Sequence, residues 1–266
     1  MTTSGTRTVM IVEHPGRWVT LRIDNPPVNV LDDRVHTELA DALERFEADS
    51  RTRVVVLESA DPEFFAAHLD VALTLEQNDV AMRAYVRTRA ALRSPRLVSI
   101  AKIRGRARGG GYELALLCDM RFASAETAVL GQPEIKLGLS PGGAGTQMAP
   151  ALIGRARTLE VVLGGRDIDA VTADRYGAIN RAIPDAELDE FVDTLAARIA
   201  GFDVTAVELT KAAVDRHYLP PLADFLEAGA AFRELRESPE VVAAVRDSLA
   251  KGANTRGSFE FDEIGS

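Results

Sequence analysis

An α/β fold with a helical C-terminal part is what this sequence predicts, and three observations carry it. Short continuous apolar runs, such as residues 53–57 (RVVVL), have the pattern of strands in a sheet covered on both faces. They alternate with stretches whose apolar residues recur at helical spacing. Beyond Gly145 the strand pattern stops and helical periodicity takes over.

The elements follow in order. Residues 8–13 and 18–23 read as two strands, with His14-Pro15-Gly16 as the turn between them. A helix is expected over 32–48, because Val35, Leu39, Ala42, Leu43 and Phe46 fall on one face. Strand 53–57 leads to an apolar loop, ADPEFFAAHLD, and then to a helix over 80–92. Strand 97–100 precedes RGRARGGGYELALLCD, whose glycines open a helix running to Leu117. Short strands are expected at 119–123 and 128–130, and a Gly/Pro-rich loop from Gly131 to Gly145. Helices are then expected over 147–152, 155–163, 170–176, 186–200, 204–217, 221–236 and 239–250. The tail GANTRGSFEFDEIGS is expected to fray. The division anticipated is a core over 1–200 and a helical region over 201–266.

Composition narrows the function. With 266 residues the chain can bury a large core. A net charge of -9 argues against a general nucleic-acid binder. Basic charge is nearly all arginine; the lysines are Lys102, Lys136, Lys211 and Lys251. Cys118 is the only cysteine, so no intrachain disulfide can form and a cysteine-rich metal site is excluded. MTTSGTRTVM has no apolar signal core, and no apolar run spans a membrane. A cytoplasmic protein is the expectation.

Three stretches offer chemistry. Gly109, Gly110 and Gly111 allow a sharp turn and close approach to backbone amides. A helix starting there exposes free N–H groups at its positive end. The segment matches neither GxGxxG after a strand nor a phosphate loop. A plain packing turn is the alternative. Glu113 follows, with Leu116 and Leu117 on its face, a setting that raises a carboxyl pKa and suits acid–base work. A first-turn glutamate reaching solvent is the alternative. Glu134 lies in a loop among Pro133, Ile135 and Leu137, and FFAAHLD is an apolar loop able to present N–H groups. A solvated loop acid and ordinary core packing are the respective alternatives.

Four segments in order carry a resemblance: VTLRIDNPPVNVLDD, VVVLESADPEFFAAHLDV, IRGRARGGGYELALLCDMRFAS and LGQPEIKLGLSPGGAGT. Together they resemble the crotonase superfamily, the enoyl-CoA hydratase/isomerase fold, over most of the chain. The resemblance implies a ββα spiral core and a site for an acyl-CoA thioester. It implies an oxyanion hole from the backbone N–H groups of Leu69 and Gly110. It maps the two hydratase glutamates onto Glu113 and Glu134, with Glu113 activating a water for C3 and Glu134 giving a proton to C2. Ala67, His68, Asp70, Val71 and Gly109 are expected against the substrate. It implies pocket walls drawn from residues 71–95. No metal and no cofactor beyond substrate-borne coenzyme A is expected, and the assembly implied is a trimer or dimer of trimers.

The sequence departs from the family pattern at four places. His68 stands where glycine is usual, so either the loop takes another path or the ring enters the pocket. Arg108 replaces an apolar residue; with Arg104 and Arg106 it could meet CoA phosphates, or only solvent and nearby acids. Met148 stands where an arginine often follows GTQ. The C-terminal part lacks the usual acid-glycine pair and basic ending. The rival readings are a Δ3,Δ2-enoyl-CoA isomerase, another acyl-CoA reaction using the same hole, a non-catalytic acyl-CoA-binding protein and, weakest, an RNA binder.

Overall fold

A computed structural model describes residues 7–266. The first six residues of MTTSGTRTVM, read above as lacking a signal core, lie outside the described residues.

β1 (Val9–Glu13) and β2 (Trp18–Ile23) pair antiparallel, with Val9 opposite Ile23. α1 (Asp33–Ala48) follows; the Asp32 side chain accepts from the Val35 N–H at 2.7 Å and caps it. A strand–strand–helix unit then recurs. It is built first by β3 (Val54–Ser59), β4 (Phe64–Ala66) and α2 (Leu75–Arg93). Next come β5 (Val98–Ile103), β6 (Arg106–Arg108) and α3 (Gly110–Leu117). The last unit is β7 (Met120–Ser124), β8 (Val129–Gly131) and α4 (Gly145–Gly164). β9 (Ile168–Asp169), α5 (Ala170–Tyr176), β10 (Arg181–Ile183) and α6 (Asp185–Ala200) complete the core. α7 (Val204–Asp215), α8 (Leu222–Arg236) and α9 (Pro239–Ala250) close the helical part.

First strands and second strands go to different sheets. The larger sheet has the order β1-β2-β3-β5-β7-β10, parallel from β2 onward. The smaller has the order β4-β6-β8-β9, with β4, β6 and β8 parallel. The continuous apolar runs now have a reason. Val55, Leu57, Ala101 and Ile103 face an inner core with Leu39, Leu43, Leu114 and Leu117. Val54, Val56, Val98 and Ile100 face outward and are covered by Leu188, Val192 and Ala196 of α6. This is the α/β spiral expected, with its helical C-terminal region.

Several boundaries differ from expectation. α2 begins at Leu75 rather than near 80, because Thr74 and Gln77 form a capping box. The apolar loop after β3 contains β4, since Phe64–Ala66 pairs with β6. The helices expected over 147–152 and 155–163 do lie within α4 as two segments, divided by a kink at Gly154, whose φ of 77° no helix continues through. The tail does not fray. Ala253, Phe259 and Ile264 are buried together, residues Phe259–Glu263 form a wide helical turn, and Glu260 is fully buried. Arg104, Arg106 and Arg108 are engaged internally. Arg104 binds Asp185 and Asp189 of α6, Arg106 donates to the Phe261 carbonyl, and Arg108 is 1% exposed against Asp167.

Three of the four lysines tie together segments distant in the chain. Lys102 donates to Asp189 of α6 at 2.7 Å, and Lys136 to the carbonyls of Ile264 and Ser266. Lys211 of α7 is buried and donates to the carbonyls of Leu92 and Leu97 and to Asp119, at 2.9, 2.6 and 2.8 Å. Removing that ammonium strands buried acceptors. Lys211→Met should lower stability by about 2–4 kcal/mol, read as a shifted urea midpoint at unchanged slope.

Candidate active site

The site assembles where the parallel strands of the small sheet end. β4, β6 and β8 run side by side, so their C-terminal ends open at one edge, the usual place for a ligand on a parallel sheet. The chain delivers residues 67–71 from β4, Gly109 and α3 from β6, and Gln132 to Glu134 from β8.

Gly109 turns the chain into α3 with φ +47°, and its N–H donates to Gly131 at 2.9 Å. The conformation favours glycine, and a Cβ there would stand 2.9 Å from Glu134 Oε1 and press on that carboxyl. The loop after β4 is pinned by Leu31. The Leu31 N–H donates to the His68 carbonyl at 2.8 Å, and the Asp70 N–H to the Leu31 carbonyl at 3.1 Å. With the His68 carbonyl turned to Leu31, the Leu69 N–H of that same peptide points the other way. Among the described residues neither the Leu69 N–H nor the Gly110 N–H meets a protein acceptor. They are close neighbours: a Cβ on Gly110 would lie 3.2 Å from the Leu69 nitrogen.

Glu113 is 6% exposed on an apolar helix. Its Oε1 accepts three backbone N–H groups, from Gly143, Ala144 and Gly145, at 2.9, 2.8 and 2.9 Å. Burial raises its pKa, the three donors oppose, and the net direction is up. Glu134 begins the short 3-10 turn Glu134–Leu137. The residue keeps some surface, but its carboxyl is enclosed; burial first, and the charge of Glu113 second, push its pKa well above the carboxylate range. The Gln132 amide, with its nitrogen turned inward, donates to both Glu134 oxygens at 2.9 Å.

Both glutamates, Leu69, Gly109 and Gly110 line one cavity of about 70 Å³. Its walls are otherwise largely apolar, from Met82, Leu137, Leu139, Phe232 and Ile264. His68 and Val71 also line it. Ala67 and Asp70 do not, against expectation. Ala67 packs with Val28, Val30 and Phe64, and Asp70 is taken up by the Ala72 N–H and the Asn254 side chain. The His68 ring does not offer a nitrogen to the cavity either. Nδ1 lies 2.8 Å from the Leu69 carbonyl and Nε2 2.8 Å from Glu260.

The expected wall segment 71–95 supplies Val71, Met82 and Tyr85, but sequence reasoning missed His36 in the lining and Glu260 behind it. His36 and Tyr85 face each other edge-on at 5.7 Å, and His36 Nδ1 and Tyr85 Oη have no partner among the described residues. Burial holds the imidazole neutral, its pKa lowered to about 4. His36 sits beside Val35 on the buried face of α1, and that polar interruption was a readable signal. Glu260 lies between Phe259 and Phe261, the same acid-in-apolar pattern that singled out Glu113. Among the described residues no group of three or more His, Cys, Asp or Glu is placed to hold a metal, and no helix is long and apolar enough to cross a membrane.

Comparison with known proteins places the chain in a family. The family model for enoyl-CoA hydratase/isomerase matches residues 16–253. A Rhizobium meliloti protein described as a probable enoyl-CoA hydratase is 35% identical over 220 residues, 82% of this chain and 85% of the relative. The short-chain-enoyl-CoA hydratase of Clostridium acetobutylicum is 31% identical over 212 residues, 78% of this chain and 81% of its own. A Streptomyces avermitilis crystal structure, described as a candidate enoyl-CoA hydratase, superposes with a TM-score of 0.92 at 38% identity, covering 99% of this chain and 97% of that one. The likeness thus spans core, site and helical part alike, and the chain belongs to the enoyl-CoA hydratase/isomerase family, the crotonase superfamily.

Proposed function

We propose that the protein is an enoyl-CoA hydratase, adding water across the C2=C3 bond of a trans-2-enoyl-CoA. One observation carries the reading: two enclosed glutamates with different hydrogen-bond environments share a cavity with two unpartnered backbone N–H groups. The names of the relatives support the same activity.

The thioester carbonyl takes hydrogen bonds from Leu69 and Gly110. As an enolate forms at that oxygen, the two donors and the positive end of α3 stabilise the new charge. Glu113 acts as carboxylate. Its Oε1 is occupied by three N–H donors, which leaves Oε2 to take a proton from the water attacking C3. Glu134 is the acid. Its raised pKa keeps a proton available for C2. The proton that Glu113 takes up returns to Glu134 between turnovers, so the two groups titrate as a pair. Coenzyme A enters with the substrate, and the reading calls for no metal or further cofactor.

The site and the assembly belong to one reading. Exposed Leu209 on α7 and Leu226 on α8, and separately a groove lined by Phe202, Val207, Val214 and Tyr218, support contacts between copies. A homotrimer or dimer of trimers in the cytoplasm is the form proposed.

Loss of the conjugated thioester absorbance of crotonyl-CoA and longer enoyl-CoAs tests the activity. Glu113→Gln and Glu134→Gln should each lower kcat by about 10²–10⁴-fold. If no chain length is hydrated, or both variants match the parent, the reading fails. Binding without turnover would favour an acyl-CoA-binding protein, and migration of the double bond an isomerase. The pH profile of kcat/KM should be bell-shaped. Activity falls on the acid side as Glu113 takes a proton, above the ordinary glutamate value of 4.5 because its pKa is raised. It falls on the alkaline side as the pair loses the proton of Glu134, and Glu134→Gln should abolish that limb.

A further inference from the structure

His68 occupies the position immediately before the Leu69 amide, and both its ring nitrogens face acceptors. Nδ1 meets the Leu69 carbonyl and Nε2 meets Glu260 Oε1, each at 2.8 Å. A neutral imidazole carries one N–H, so with Glu260 ionised, as its lowered pKa favours, both contacts are hydrogen bonds only for the imidazolium. His68 is 5% and Glu260 0% exposed, so the charges are paired out of water. Burial would lower the His68 pKa, but the Glu260 carboxylate overcomes it and the net direction is up. Arg108 and Glu134 are the other ionisable groups near the ring; Arg108 opposes the shift, and Glu134 lies across Gly109 from the His68 Cβ.

Glu260 is itself held firmly. Its Oε1 also accepts the Asn254 N–H at 2.8 Å, and its carbonyl accepts from buried Arg108. Arg108 is anchored by Asp167 at 2.9 Å, and Asp167 binds the Gly265 carbonyl through its own N–H at 2.9 Å. Phe261 packs edge-on against Phe64 of β4 at 5.2 Å. The C-terminal segment therefore lies against the strand that carries the Leu69 loop.

We infer that Glu260 and His68 are positioning residues for Leu69: the C-terminal carboxylate holds the imidazolium, which holds the Leu69 carbonyl and so the loop that aims the Leu69 N–H at the substrate. Leu31 fixes one side of this loop, through the His68 carbonyl and the Asp70 N–H; His68 and Glu260 fix the other. The imidazole replaces with a side-chain strut what a glycine at this position would leave to the backbone. This rests on the hydratase reading for its catalytic consequence, and on the contacts of His68 and Glu260 alone for its structural one.

The test compares Glu260→Ala, His68→Ala, their double variant and Glu260→Gln. With crotonyl-CoA, each alanine variant should lower kcat about tenfold or more with KM within about threefold, because the hole acts in the transition state. The double variant should be no worse than the poorer single by more than about twofold, since both act through one contact. Glu260 Oε2 has no partner among the described residues, so Glu260→Gln breaks no bond there and removes only the charge. Its kcat, relative to the parent's, should exceed that of Glu260→Ala at the acid end of the profile and approach it as pH rises, with the change below the ordinary histidine value of 6.5 because burial and Arg108 both lower the His68 pKa once the carboxylate charge is gone. Single alanine variants within twofold of the parent, an additive double variant, or a parent-like pH profile in Glu260→Gln would overturn the inference. If Glu260→Ala does not fold, His68→Ala and Glu260→Gln decide. Amide exchange over residues 66–70 should quicken in both alanine variants while α1 and β3 stay protected. That readout separates the two readings: a parent that hydrates nothing defeats the hydratase, whereas unchanged exchange defeats the positioning role.

Discussion

Three N–H groups at the start of α4 converge on one oxygen of Glu113, and much of the site depends on that contact. Each side needs the other. The residue at the cap of α4 is Ala144, which has no side chain able to cap it, so the first amides would be orphaned. Glu113 is a buried carboxylate on an apolar helix and would be driven neutral without donors. The contact satisfies both, complements the dipole of α4, and fixes α3 against α4. It also sets the carboxylate's direction, since one oxygen takes all three bonds and the other takes none among the described residues.

The second constraint is the alignment of β4, β6 and β8. Three short parallel strands ending at one edge bring together segments that are far apart in the chain: Leu69, Gly110 and Glu134. Each leaves its strand differently. A bridge to Leu31 turns the first, a left-handed glycine turns the second, and a 3-10 turn carries the third. The free amides, the enclosed acid and the held carboxylate meet because a ββα unit recurs, not because their residues are near in sequence.

The arginine run that leads through β6 shows how position governs charge. Arg104, Arg106 and Arg108 differ little as sequence, yet Arg104 binds α6, while Arg106 and Arg108 bind the C-terminal tail. A free tail would leave Arg108 a buried cation with one partner fewer. Docked, the tail contributes Ile264 to the cavity wall and Glu260 to His68.

Periodicity alone made most helices and the buried strands of the large sheet legible, because those patterns report which faces meet a core. Glu113 was legible too, as an acid in an apolar run. Short β4 and β9 were not, since two or three residues carry no period of their own. The tail was misread because its composition is that of a loose end, and its burial depends on partners at Arg108, Lys136 and His68 that no local pattern announces. The sequence by itself determined the α/β class, the glycine turn at 109–111 and the presence of two acids suited to the site, because these follow from local sterics and side-chain chemistry. Tertiary structure alone decided that Glu113 is held by a helix start, that Ala67 and Asp70 turn away from the cavity, and that His68 answers to Glu260. Those outcomes depend on contacts between segments distant in the chain, and only the folded packing brings their atoms within hydrogen-bond reach.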